Sequence, residues 1–381
     1  MEKTSAVSGG QSARRLLAGV LRPWLTLIVV CAAFSLHPAF LNTFWTPQYL
    51  PNILQQAATN IILAVGLTFV ILTAGIDLSV GAVMALCGIT LGLSVRGGLP
   101  PFLAWTVAFP LAALAAWAAA RELLRRGVDG RAAGAAAVGV TVLVTAALGS
   151  LLGPVLARGV RLEWALLAAV AVGIACGLLN GLVTSLGRVP SFVVTLGMLT
   201  AARGLTVYAT DGNSVSGLPA RLGSLGQGWP LVLIALVVVV SGVVLQTLTR
   251  SGRLITAVGA NEEATRLSGV SVPVYQTLAF VLSGLCAALA AVVLTAKFQL
   301  ADTGAGVGAE LNAIAAVVIG GTSLSGGRGT VLGSLVGALT IAVLNAGMVL
   351  VGVKDTLQGV VIGLVIVLAV MLDRARRPGR D

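Results

Sequence analysis

The segment Ala309-Glu-Leu-Asn-Ala-Ile-Ala-Ala-Val-Val-Ile-Gly-Gly-Thr-Ser-Leu-Ser-Gly-Gly-Arg-Gly-Thr-Val-Leu-Gly-Ser-Leu-Val-Gly337 decides how the chain is read. Its apolar run from Ile314 to Ile319 stops at Gly320 and Gly321. A small polar turn follows, with Thr322, Ser323, Ser325 and the glycines around Arg328, and then a second apolar run begins. A run this short cannot cross a bilayer as a regular helix, which needs about 20 residues. The backbone groups at the break need partners, so the break packs in protein or meets water. Interrupted hydrophobic segments recur along transporter pathways. Gly320, Gly321, Thr322 and Ser323 are therefore candidates for a translocation route or for the helix break that shapes it. The plainer alternative is a glycine-rich turn between two spans.

Composition places that break in a membrane protein. Hydrophobic residues make up 57% of the 381, and charged residues only 10%. Mean hydropathy is +1.01. These values exclude an ordinary soluble domain. The apolar runs lack period-2 alternation, so they predict helices and not barrel strands. The 48 glycines suit helices packed through small residues. Gly173, Gly177 and Gly181 form one ladder, and Gly329, Gly333 and Gly337 another. The net charge of +11 would suggest nucleic acid in a soluble chain. Here the basic residues lie between and beyond apolar runs, where they mark cytoplasmic loops, so no nucleic-acid partner is expected. Cys31, Cys87, Cys176 and Cys286 all sit inside apolar runs without paired ligand spacing, so neither a metal nor a disulfide is expected, and no cofactor is indicated.

The expected architecture is all-α: a polytopic transmembrane helical bundle of about 10–12 spans, with short broken helices near 75–81 and 320–329. Residues 1–22, with Lys3, Arg14, Arg15 and Arg22, read as a cytoplasmic tail, 23–373 as the membrane domain, and 374–381 as a second basic tail. Trp24 to Phe40 reads as a retained span rather than a signal peptide. Ser191 to Thr210 contains Arg203 and is a candidate for a broken or interfacial span. Basic termini predict an even span count with both ends cytoplasmic. The same alternation puts 121–131 and 249–273 inside, and 42–52 and 211–228 outside.

Asp77 is the one acid flanked by long apolar runs on both sides, in Gly75-Ile-Asp-Leu-Ser79-Val-Gly81. An Asp at mid-bilayer costs about 2.5–3.5 kcal/mol on insertion scales. Two readings compete. Asp77 caps the next helix at the membrane surface, or Asp77 and Ser79 line the transport route. Residues 75–81 also match Gly321-Thr-Ser-Leu-Ser-Gly-Gly327 at four of seven positions, as a parallel internal repeat would. In the long polar connection 249–273, Asn261 can cap a short helix. Glu262 and Glu263 fall in its first turn, Ala264 within it, Arg266 in its last turn, and Gly269 beyond its end.

Four motifs together carry a resemblance. Thr73 to Gly81, Pro190-Ser-Phe-Val-Val-Thr-Leu-Gly197, Gly259 to Gly269, and Glu310 to Gly327 resemble, in order, the membrane-spanning permeases of ribose/xylose-type bacterial ABC importers. The similarity covers about residues 25 to 373. It implies two permease subunits (a homodimer), two cytoplasmic ATPase subunits, a soluble sugar-binding protein outside, and lipid around the chain. It also implies that 259–270 is the coupling helix, so Asn261, Glu262, Glu263, Ala264, Arg266, Leu267 and Gly269 would dock on the ATPase. In one respect the chain departs from the family: about two additional spans within 96–162 look inserted. An added pair leaves downstream sidedness unchanged.

The residues agree that energy comes from another subunit. A P-loop needs a Gly-x-x-x-x-Gly-Lys-Ser/Thr context. Lys3, Lys297 and Lys354 are the only lysines and none has it, so the chain is not expected to be an ATPase or another enzyme. The reading is therefore a permease subunit for a monosaccharide, at the bacterial inner membrane. Branched-chain amino acids, nucleosides or a signalling sugar are alternatives within the same machinery. An ion-coupled secondary transporter using Asp77 is the alternative of a different class, and a membrane-embedded enzyme a third.

Overall fold

A computed structural model describes residues 23–125 and 129–375. The tails at 1–22 and 376–381 and the loop position Arg126, on which part of the charge argument rests, lie outside the described residues. Within them the chain is helical: α1 (Pro23–Ser35), α2 (Pro38–Phe44), α3 (Tyr49–Leu72), α4 (Val80–Arg96), α5 (Pro101–Arg125), α6 (Gly130–Ala157), α7 (Leu162–Ser185), α8 (Ser191–Thr210), α9 (Ala220–Gly226), α10 (Trp229–Leu248), α11 (Arg250–Ala260), α12 (Glu262–Leu267), α13 (Val272–Phe298), α14 (Ala309–Ile319), α15 (Val331–Leu350) and α16 (Asp355–Ala375).

Eight helices among the described residues are long and apolar enough to cross a membrane, against the ten to twelve expected. The difference lies in the short elements. Apolar stretches at Val80–Arg96, Ala309–Ile319 and Thr356–Val365 fall below span length. The first apolar run is not one straight span. It breaks between α1 and α2 with a bend of 118°. Pro38 at the start of α2 explains the break, because the residue before proline is pushed out of helical geometry, and His37 is extended there (φ −96°, ψ 127°). In the other direction, the span expected to be broken or interfacial, α8, is one continuous helix of 20 residues.

The chain divides into two units. Among the described residues, one comprises 23–76, 228–276 and 308–375, the other 77–125, 129–227 and 277–307. The first is built on α3 and α15, whose apolar windows are 72% and 78% buried. Thr68 on α3 donates to Ser334 on α15 across 2.7 Å. The glycine ladder seats α15 on α14. A Cβ at Gly333 would stand 2.2 Å from the Gly320 carbonyl oxygen, and one at Gly337 1.8 Å from that of Ala316. Gly242 of α10 packs in the same way against Val65 and Val331.

The second unit surrounds α4, which is buried along nearly its whole length. The ladder Gly173, Gly177, Gly181 of α7 meets α13 backbone to backbone. A Cβ at Gly177 would lie 2.3 Å from the Phe280 oxygen, and Gly173 faces Gly284. Small residues thus set helix spacing, as they do where lipid offers no hydrophobic drive for association. Helices α5 and α6 pair with each other, and α5 also packs on α7. Gly149 leaves room for the Trp105 ring, which would come within 1.9 Å of a Cβ. Only 6% of the apolar window of α6 is buried, so most of its circumference is free for lipid. The polar loop 211–228 contains α9, and a lone antiparallel bridge joins Val215 to Ala301 with N–H···O distances of 2.8 and 2.9 Å.

Candidate functional site

The two units each gather residues that the sequence marks as special. In the second unit the centre is Asp77. It is 2% exposed and lies in the irregular turn that leads into α4. Its Oδ1 accepts from the Ser79 backbone N–H (2.9 Å) and the Ser79 hydroxyl (2.6 Å). Its Oδ2 accepts from the Ser283 hydroxyl on α13 at 2.8 Å. Asn180 on α7 donates through Nδ2 to Ser79 Oγ at 2.9 Å. Beside it, the Leu78 N–H donates to Thr195 Oγ1 on α8 at 3.2 Å. Three helices, α7, α8 and α13, are therefore tied by polar side chains to the turn that starts α4. A buried carboxylate is tolerable when several donors satisfy it.

The cap reading of Asp77 meets a backbone bond here, from the Ser79 N–H, and the carboxylate is buried in its unit. The N-cap of α4 is Ser79, whose side chain makes no capping bond. Asp77 stands two residues earlier and serves the helix start by accepting the Ser79 N–H from inside the unit. The Asn180 Oδ1 is buried with no hydrogen-bond partner among the described residues.

In the first unit the centre is a set of glycines. The break after α14 turns through Gly320 to Gly329. The Gly321, Thr322 and Gly320 N–H groups donate back to Val318, Val317 and Ala316 oxygens, closing α14. Gly321, Gly326 and Gly327 hold φ of +87°, +80° and +70°, conformations that favour glycine. The Gly327 N–H donates to the Leu72 oxygen at the end of α3 (2.9 Å). Gly259 near the end of α11 passes the same carbonyl so closely that a Cβ would lie 1.7 Å from it. A Cβ at Gly326 would stand 2.8 Å from the Ala74 nitrogen. The residue just before the first half of the sequence repeat, Ala74, therefore touches the second half at Gly326. Gln246 of α10 closes the far side of the turn: Nε2 donates to the Gly329 oxygen and Oε1 accepts the Val331 N–H, both at 2.9 Å. Thr322 and Ser323 are buried, and Thr322 Oγ1 finds no partner among the described residues.

The short capped helix is present as α12. Asn261 Oδ1 accepts the Ala264 N–H at 2.9 Å. Glu263 pairs with Arg266 one turn on, which raises the guanidinium pKa still further. Gly269 follows the end of the helix at φ +79°. Thr265 points inward, donating to the Ala257 and Asn261 oxygens. Leu267 is 78% exposed, an unusual position for the one large apolar side chain of α12. The sequence reading missed α11, which precedes it. Its signal was there: Thr249 accepts the Gly252 N–H as a cap, and Ile255 and Val258 mark one buried face. Ser283, Gln246 and Asn180 carried no functional reading from the sequence.

The fold and these two nodes define a polytopic helical membrane protein whose backbone breaks are held at fixed points, with a capped helix displayed beside one of them. A family model described as the branched-chain amino acid transport system / permease component matches residues 49–148 and 127–370. The chain belongs to this permease family. It is 37% identical over 365 residues to the ribose import permease protein RbsC of Bacillus subtilis (strain 168), covering 93% of both chains. It is 36% identical over 360 residues to the ribose import permease protein RbsC of Escherichia coli (strain K12), covering 92% of both. The D-allose transport system permease protein AlsC of Escherichia coli (strain K12) is 31% identical over 356 residues, with 92% of this chain and 90% of that one covered. No solved structure matches.

Proposed function

We propose that the chain is the transmembrane permease subunit of an ABC importer that brings a monosaccharide of the ribose type into the cell, driven by separate ATPase subunits. The observation that carries this is similarity to ribose permeases over nine-tenths of both chains, with an allose permease close behind. The chain itself offers no P-loop lysine. In this reading the protein lies in the inner membrane with both termini cytoplasmic, works as a homodimer, and receives its sugar from a soluble binding protein outside. The α5–α6 hairpin, within 96–162, is an added pair that leaves the sidedness of later helices unaltered.

Helix α12 is the coupling helix in this reading. Six residues cannot hold a helix alone in water. Here α12 is anchored through Thr265 to α11, and it leaves Leu267 free to enter a groove on the ATPase, with Glu262, Glu263 and Arg266 at the rim. A buried apolar anchor dominates such contacts, whereas rim charges contribute little. In this reading Asp77 and Ser79 hold the helix break of one unit, and Gly320 to Ser323 that of the other.

Uptake of labelled ribose into proteoliposomes tests the reading. It should require ATP, the cognate ATPase and the binding protein. Uptake driven by an ion gradient without ATPase would instead establish a secondary transporter. Leu267→Asp should abolish ATPase stimulation by the permease while the protein stays folded, because that side chain is largely exposed. Cysteine labelling from outside should reach position 214 and not position 125; the reverse would overturn the orientation.

A further inference from the structure

The glycine node of the first unit places a second charged element beside α12. Gly327 packs on Ala260, the last residue before the Asn261 cap, so closely that a Cβ on Gly327 would lie 2.4 Å from the Ala260 Cα. A Cβ on Gly326 would lie 2.9 Å from the Gly259 oxygen. These are backbone-to-backbone contacts, with the Gly327 N–H fixed on Leu72. The turn and the residue before the α12 cap are therefore packed backbone on backbone. The next residue, Arg328, is held on both sides. Its own carbonyl accepts the Ser323 N–H at 2.9 Å, and the Gly329 carbonyl accepts from Gln246. The Arg328 side chain is exposed, and it belongs to none of the ion pairs found among the described residues.

We propose that this turn, through Arg328, is a second docking element for the ATPase subunit, continuous with α12 and facing an acidic part of that subunit's surface. The proposal rests on the reading of α12 as the coupling helix. A protein that covers Asn261 to Leu267 must come within a few residue spacings of Ala260, and an arginine side chain on the adjoining turn reaches as far as its neighbour's rim. A charge fixed by its backbone steers encounter and sets register more than it adds affinity. An anionic lipid surface fits less well, because Glu262 and Glu263 stand at the start of α12 and would repel it. The same contacts give the docked subunit a path to the membrane domain: pressure on the turn bears on the end of α3 and on the break between α14 and α15.

The test is site-directed labelling of the whole complex. Cys87, Cys176 and Cys286 are buried, so replacing Cys31 with serine leaves a quiet background. Arg328→Cys and, separately, Leu267→Cys are introduced and labelled with a water-soluble maleimide in discs of neutral lipid, with and without the purified cognate ATPase. We expect the ATPase to protect both positions. Protection of 267 without protection of 328 would overturn the second docking element and leave the coupling helix intact. Protection of neither would overturn both, and protection of 328 only when anionic lipid replaces neutral lipid would assign the arginine to the membrane surface. Arg328→Glu should weaken ATPase association roughly three- to tenfold and flatten its salt dependence. An unchanged affinity and salt slope would count against the proposal.

Discussion

The Asp77 node and the Gly259–Gly327 node hold irregular backbone by opposite means. Around Asp77 the work falls to side chains: one carboxylate collects three donors, and an amide and a threonine complete the set. Around Gly259 the fixed contacts with Leu72 and Ala260 are main-chain ones, and the segments meet at a distance that any Cβ would forbid. The first arrangement depends on the number of hydrogen bonds and so should degrade by degrees. The second depends on space, so it should fail as soon as an atom is added. The contrast separates chemical from steric control of a helix break, and single substitutions can test it.

The largest effect is expected at Gly259. Gly259→Val puts carbon where the Leu72 carbonyl already stands, and both sides are backbone. Overpacking of a well-filled core costs about 1–3 kcal/mol where side chains can give way, and more where they cannot. The variant should fail to yield a folded protein in detergent, whereas Gly197→Ala, which faces open space, should melt like the parent. A normal melting curve for Gly259→Val would remove the steric account. Next comes Asp77→Ala, which strands three donors in a buried setting. Each unsatisfied group costs about 1–3 kcal/mol, so the melting temperature should fall far but the protein should still insert. Asp77→Asn keeps one acceptor and should fall between. If Asp77→Asn instead melts normally yet transports nothing, the carboxylate serves the route rather than the fold. Ser283→Ala removes one bond to a charged group, worth about 1.5–3 kcal/mol at most. The smallest effect belongs to Asn261→Ala, which loses a cap worth about 1 kcal/mol. It should leave global stability unchanged and show itself only as faster amide exchange at Ala264.

How much of this was legible in the sequence follows from the range of the signals. The cap of α12 was readable because Asn261, the acids behind it and Gly269 act within one turn. The breaks at 75–81 and 320–329 were readable because glycine and polar residues interrupt apolar runs. What each break touches was not, since the partners lie tens to hundreds of residues away and glycine packing leaves no side-chain trace. Asn180 and Ser283 were hidden for a related reason: a single small polar residue in an apolar helix looks the same whether it faces a neighbour or simply fits. Asp77 was found with two readings, cap and route lining, but the donors that make its burial tolerable were not legible because they stand on other helices. The α1–α2 bend was within reach, since His37-Pro38 announces it. Helix α11 was lost to its polarity, although its apolar positions recur at helical spacing.

The bend also sets a depth. Helix α1 stops at Ser35, where the chain turns through 118° into α2. It ends in a stack of rings: Phe34 on Phe40 at 5.4 Å, Phe40 on Phe44 at 4.3 Å, and Trp45 and Tyr49 against Phe44. Trp45 donates to Ser35 across the turn at 3.1 Å, which locks the elbow. Tryptophan and tyrosine favour the headgroup level. An elbow closed by such rings is a headgroup-level anchor, so the bend fixes where α1 meets the interface rather than how far it reaches.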